Sequence, residues 1–342
     1  MTNGQFTKQE IFSQPEAWSA ALEVVSQNSE TLNHLWRENR YESLMLTGCG
    51  STYYLAYAGA SLLQESSDIY ARALPASEIW LHPRSSFRKT ARTLLIAVSR
   101  SGATSETLNA VNKFRAEGNG QVLTISCYPD EPLAKMGDVN LVLPSGQEQS
   151  VAQTRAFSVM YLAVVALNAM WNNQPKLLDE LHQLPGVLRG MFEKYSDMAG
   201  RWGRDLNLDR HYFLGSGTRY GLAAELSLKM KEMTLSHSEP FHFMEFRHGP
   251  QSMANPQTLM VGLVSESNKS YEMKVLNEMR ERGANIFAQG ESDTDVIFAS
   301  GLSETANNVL YLPLGQWLAF ERAIAKGLNP DRPNNLESVV RL

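Results

Sequence analysis

The sequence predicts an α/β protein of two tandem, doubly wound parallel-sheet domains behind an N-terminal helical segment. Three observations predict it. Short continuous apolar runs, Thr93–Ser99 above all, alternate with helical patterns, as strands buried on both faces of a parallel sheet do. Several of these runs end in a glycine- or hydroxyl-rich turn that opens a helix. The pattern then restarts in the second half, where Gly48, Gly50, Ser51, Leu55 and Ala56 fall in order and spacing on Gly215, Gly217, Thr218, Leu222 and Ala223.

In chain order, residues 7–40 read as helices, with proline just inside a start at Ser13-Gln14-Pro15-Glu16. Ser43–Thr47 is a short strand entering Gly48-Cys49-Gly50-Ser51-Thr52, and a helix continues over Tyr54–Gln64. Ile69–Ala73 reads as strand and Pro75–Leu81 as helix. Thr93–Ser99 runs into Arg100-Ser101-Gly102-Ala103-Thr104, which opens a helix ending near Gly118. Gln121–Ser126 and Asn140–Leu143 are further strands, and Val151–Asn172 is a long helix. A helical connector from Lys176 to about Arg204 leads to the second copy, whose first strand is Tyr212–Leu214. The domain boundaries follow: a helical segment over 1–40, a first domain over 41–190, a second over 200–328, and a tail over 329–342 that covers the active site.

Composition narrows the function. A net charge of −5 with no lysine or arginine run excludes a nucleic-acid footprint. The longest apolar stretch, Ala156 to Trp171, is too short to span a bilayer and contains Asn168, so it reads as a buried helix. The polar N-terminus lacks a signal-peptide pattern, which places the protein in the cytoplasm. Two cysteines, Cys49 and Cys127, have no zinc spacing and read as core-lining thiols. No metal and no cofactor is expected, nor a membrane.

Two stretches carry chemistry. At Ser99–Thr104 a helix begins beneath three hydroxyls and a glycine. Its N-terminus offers unpaired N–H groups and the positive end of the dipole, a cradle for a phosphate monoester that Ser51 and Thr52 could close from the neighbouring turn. A single helix cap would need one hydroxyl only. No Gly-Lys-Ser/Thr ends the loop, so nucleotide hydrolysis has no support. The second stretch is the helix after Gly215-Ser216-Gly217-Thr218, where Glu225, Lys229 and Glu232 share one face. Spacing alone also fits a solvated, salt-bridged surface; the glycine elbow at the strand end favours a ligand site. A loop with Glu245, His248, Gly249 and Pro250 follows. His237 and His242 stand at no metal-ligand spacing and read as packing or surface residues.

These residues resemble the sugar isomerase (SIS) domain family in its tandem, flavodoxin-like form, above all the isomerase module of glucosamine-6-phosphate synthase. The likeness runs from about Tyr41 and rests on Gly50-Ser51-Thr52, Ser99 to Thr104, Glu148 with Val151 to Phe157, Glu225, Lys229, Lys231 and Glu232, His248-Gly249-Pro250, and Asp331-Arg332-Pro333 with Asn335-Leu336. It implies that Ser99, Ser101 and Thr104, with Ser51 and Thr52, hold a sugar 6-phosphate, and that Gly50, Arg100, Glu148 and Val151 line the same site. It further implies that Glu232 moves a proton between C1 and C2 of the open-chain sugar. His248 would open the ring and reach the partner subunit's site in a homodimer, while Glu225 and Lys229 line the pocket. Proton transfer at C1/C2 and ring opening both require positioned acid–base groups, which agrees.

The sequence also departs from the synthase. It has no amidotransferase domain and no N-terminal cysteine, which implies that it does not release ammonia from glutamine. Its tail carries Glu337 where the synthase has a catalytic lysine. The form Phe246-Arg247-His248-Gly249-Pro250 is closer to stand-alone relatives. The resulting expectation is an aldose–ketose isomerase of an amino-sugar or sugar 6-phosphate. The alternatives are an amino-sugar-6-phosphate deaminase or fructosamine-6-phosphate deglycase, and a non-catalytic sugar-phosphate sensor.

Overall fold

The computed structural model describes residues 3–342. Two five-stranded parallel sheets form, each in its own compact unit. The first sheet contains β1 (Ser43–Gly48), β2 (Tyr70–Pro75), β3 (Arg92–Ser99), β4 (Asn119–Ser126) and β5 (Val139–Val142), in the order β2-β1-β3-β4-β5. The second contains β6 (Arg210–Leu214), β7 (His237–Phe241), β8 (Thr258–Leu263), β9 (Asn285–Gly290) and β10 (Val296–Ile297), in the order β7-β6-β8-β9-β10. The two orders are the same, first strand for first strand. All pairings are parallel. In such a sheet the chain reverses its winding direction beside the first strand, and ligands collect at the C-terminal strand ends there.

Each sheet's first strand leads into an elbow that only glycine can make. Gly50 (φ 54°, ψ −122°) and Gly217 (φ 56°, ψ −133°) share one backbone conformation that a side chain would forbid. The helices Ser51–Ser66 and Thr218–Thr234 follow directly. In the first unit, residues 44–48 of β1 and 93–99 of β3 are buried throughout. Met45, Leu95, Ala97, Ala110, Val111 and Phe114 form the apolar layer on one face of that sheet. Helix Arg155–Trp171 is buried along almost its whole length, which accounts for its lack of charge beyond the first residue. Among the described residues no helix is long and apolar enough to cross a membrane.

The compact units divide the chain at places that the sequence pattern did not indicate. The unit with the first sheet comprises Glu16–Glu148, Arg155–His182 and Glu337–Leu342. The other comprises the chain up to Pro15, Gln149–Thr154 and Gln183–Leu336. The long helix therefore starts at Arg155, not at Val151, because residues 149–154 are held elsewhere. Glu10 accepts from the Gln149 N–H at 2.6 Å, the Ser150 N–H at 3.2 Å and the Ser150 hydroxyl, and the Val151 N–H donates to the Asp331 carbonyl. Helix Gln5–Phe12 is anchored in the same unit by Asp331, whose carboxylate accepts from the Thr7 N–H and hydroxyl, each at 2.8 Å, and from the Phe6 N–H. Such bonds form only after the chain has closed on itself, so no local pattern announces them.

Replacing Asp331 by Ala removes three bonds to a buried carboxylate and leaves Thr7 without its acceptor. The variant should lose about 3 kcal/mol of stability, seen as a lower urea midpoint. A change under about 0.5 kcal/mol would show that the anchor is incidental.

Candidate active site

The turn after β3 gathers the hydroxyls of Ser99, Ser101 and Thr104 within 3.4–3.5 Å of one another. Two of them brace the turn: Ser99 Oγ accepts from the Gly102 N–H and Ser101 Oγ from the Ala103 N–H, each at 3.2 Å. Neither of these two bonds uses the hydroxyl proton, which is shared within the cluster of three hydroxyls. Thr104 precedes helix Ser105–Glu117 but makes no side-chain cap, so the helix's first turn has no side-chain acceptor from its own N-cap. Ser51 begins the neighbouring helix directly after Gly50 and is buried.

Thr52 has a different role from the one its hydroxyl suggests. Its Oγ1 donates to the Cys49 carbonyl and accepts from the Cys49 N–H, both at 2.9 Å. In this arrangement that hydroxyl shapes the elbow. Arg100 is likewise engaged. Only 5% exposed, it pairs with Glu148 at 3.2 Å and donates to the Ser338 carbonyl at 3.3 Å. Glu148 Oε1 in turn accepts from the Ala156 N–H. Val151 belongs to the other unit.

One residue of the cradle's rim was not foreseen. The Ser105 N–H donates to the Val340 carbonyl at 3.2 Å, and its hydroxyl accepts from the Leu342 N–H at 3.0 Å. The tail segment Glu337–Leu342 is thus bonded to the start of the cradle helix. Serine at a helix start is too common to have signalled this.

In the other unit the face of helix Thr218–Thr234 is not the solvated surface that its spacing allowed. Glu225 and Lys229 are fully buried, and Glu232 retains 20% exposure. Lys229 lies 3.4 Å from Glu225 and donates to Glu232. The buried carboxylate fixes the ammonium, the ammonium orients the second carboxylate, and that carboxylate alone of the three meets solvent. Such a group is built to exchange a proton with something that docks.

His248 sits exposed at the end of the short turn Glu245–Arg247, just before Gly249, and Glu245 is exposed beside it. His242 stacks on Tyr220 with centroids 4.0 Å apart, and burial lowers its pKa. His237 is exposed beside Glu239. Burial raises the Cys49 thiol, with a smaller opposing contribution from Thr107, which makes it a poor nucleophile. Among the described residues no cluster of His, Cys, Asp or Glu could hold a metal.

The SIS domain profile matches residues 39–170 and 207–297, well over half of the chain, which therefore belongs to the SIS domain family. It is 28% identical to the glutamine–fructose-6-phosphate aminotransferase (isomerizing) of Aeropyrum pernix, over 98% of this chain and 57% of the relative. With the Shewanella oneidensis enzyme of the same name the identity is 27%, over 97% and 58%. The chain thus spans less than two thirds of the length of these curated relatives. Among solved structures, tagatose-6-phosphate ketose/aldose isomerase from Escherichia coli superposes with a TM-score of 0.87 at 24% identity, covering 96% of this chain and 95% of that one. Glucosamine-6-phosphate deaminase from Thermotoga maritima gives 0.76 at 25% identity, covering 94% and 100%.

Lys229→Met should strand the buried Glu225 and destabilise the protein by about 3–5 kcal/mol. Adding Glu225→Gln to the same chain should recover much of that loss, since the pair then leaves together. Urea unfolding of both variants measures the coupling; equal midpoints for single and double variant would show that Glu225 does not depend on Lys229.

Proposed function

We propose that this chain is a phosphosugar aldose–ketose isomerase acting on a sugar or amino-sugar 6-phosphate. The observation that carries the reading is Glu232, a solvent-reaching carboxylate braced by a buried Lys229–Glu225 pair. A sensor of sugar phosphates needs a cradle but not a braced base. In this reading Ser99, Ser101, Thr104 and Ser51 hold the phosphate, Glu232 transfers the proton between C1 and C2, and His248 serves the ring oxygen or leaving group. Arg100 and Glu148 act by positioning the turn and the tail. Similarity to a tagatose-6-phosphate ketose/aldose isomerase and a glucosamine-6-phosphate deaminase supports the substrate class.

A second reading is deamination or deglycation of an amino-sugar 6-phosphate. It is favoured by the tail, where Glu337 replaces the lysine on which a synthase-type Schiff base would form. Both reactions share the proton transfer and differ in what leaves.

Glu232→Gln keeps the shape and removes the base. With a panel of fructose, tagatose, glucosamine and fructosamine 6-phosphates, kcat should fall on the order of 10²–10⁴-fold while binding persists. Exchange of the C1 or C2 hydrogen with deuterated water, followed by NMR, reads the step directly, with ammonia and ketose release separating the two reactions. Wild-type exchange in the variant would reassign the base to Glu225 or Glu245.

The exposure of His248 supports a homodimer in which it completes the partner's site. Mixing the inactive variants Glu232→Gln and His248→Ala should then restore activity, because one hybrid site has both groups intact. No recovery after demonstrated subunit exchange would place both residues in one subunit's site.

A further inference from the structure

The second unit repeats the cradle turn. Ser265 stands at the end of the strand-and-turn run that Ser99 ends in the first unit, and Ser267 corresponds to Ser101. One hydrogen bond repeats, with Ser99 Oγ accepting from the Gly102 N–H and Ser265 Oγ from the Asn268 N–H at 3.0 Å, although the backbone differs: Gly102 has φ 70° and Asn268 φ −121°. A 13-residue helix, Lys269–Glu281, follows as Ser105–Glu117 does in the first unit.

Here, however, an anion is already in place. Glu304 Oε2 accepts from the Ser267 N–H at 3.1 Å, and its Oε1 accepts from the Ser267 hydroxyl at 3.3 Å and from Arg219 Nη1 at 2.6 Å. Arg219 is only 6% exposed, and its Nε has no partner. Its neighbour Thr218, 3% exposed, has a hydroxyl that makes no hydrogen bond. Burial pushes the Glu304 carboxyl up, but Arg219 and the Ser267 bonds together outweigh it and hold it below the usual range. Two further carboxylates limit the charge the site accepts: Glu272 lies 3.9 Å from Arg219 Nη2 and accepts from the Ser265 N–H and hydroxyl, and Glu266, in the turn itself, pairs with Lys269 at 3.3 Å.

We infer that the turn Ser265–Asn268, with Arg219, is a second oxyanion site whose resident ligand is the protein's own Glu304 carboxylate. The ligand class is a small inorganic oxyanion, admitted only when Glu304 is gone. A chain with two like turns therefore takes one phosphate rather than two. The count of one rests on the phosphate reading of the Ser99–Thr104 turn; the plugged site does not.

The experiment uses the full chain and inorganic phosphate in isothermal titration, in a Ser101→Ala, Thr104→Ala background so that the first turn contributes little. Adding Glu304→Ala should create a phosphate site at least about tenfold tighter than in that parent, from gained charge-assisted bonds. Adding Arg219→Met as well should abolish it. A folded Glu304→Ala variant with no gain, or a gain that survives Arg219→Met, overturns the inference. Should that variant fail to fold, Glu304→Gln keeps the size and drops the charge. Phosphate should then raise its Tm more than the parent's, and an equal rise counts against the site. If the otherwise wild-type chain binds no phosphate while Glu304→Ala does, the functional reading fails and this inference stands.

Discussion

The candidate chemistry depends on one buried ammonium. Lys229 has no exposure, and a charge there is tolerable only because two carboxylates meet it. Glu225 is buried with it, so the pair is fixed by desolvation as much as by attraction. Glu232 then inherits its position from groups that cannot move without leaving a charge in the protein interior. A loop-borne carboxylate would need its place set by weaker contacts. This helix supplies a rigidly held carboxylate, and under the proposed function Glu225 and Lys229 hold it in place.

The strands of the first sheet, the glycine elbows and the common face of Glu225, Lys229 and Glu232 were legible in the sequence because each has a local signature: continuous apolar runs, glycines ahead of helices, and i, i+4, i+7 spacing. What spacing could not convey was depth. The same three positions fit a wet surface, and only the packing of the helix shows Lys229 sealed. Depth also separates Ser101 from Thr52. Both are hydroxyl residues beside a turn, but Thr52 bonds the backbone of Cys49 and Ser101 lies in the cluster of three hydroxyls. Long-range anchors were illegible for another reason. Asp331 reads as part of a tail motif, and nothing near it in sequence identifies Thr7 as its partner.

The two sheets show how a duplicated fold loses symmetry through a few side chains. Thr52 in the first elbow corresponds to Arg219 in the second. The threonine closes its own turn, whereas the arginine reaches out and requires a counter-charge, which Glu304 provides. The turns that follow β3 and β8 diverge in the backbone as well, for Gly102 has φ 70° and Asn268 in its place has φ −121°. Gly50 and Gly217 show the opposite case, in which the backbone demand is so strict that no divergence is visible.

The chain's ends are exchanged between the units. Helix Gln5–Phe12 belongs with the second sheet, and residues Glu337–Leu342 belong with the first. A ribosome releases the first helix long before its partner Asp331 exists, and the first sheet's unit waits for residues 337–342. Neither unit can therefore reach its full set of contacts until residues well past its own sheet have been made. Domain-by-domain folding during translation, the usual course for a chain of this size, is thereby delayed for each unit in turn.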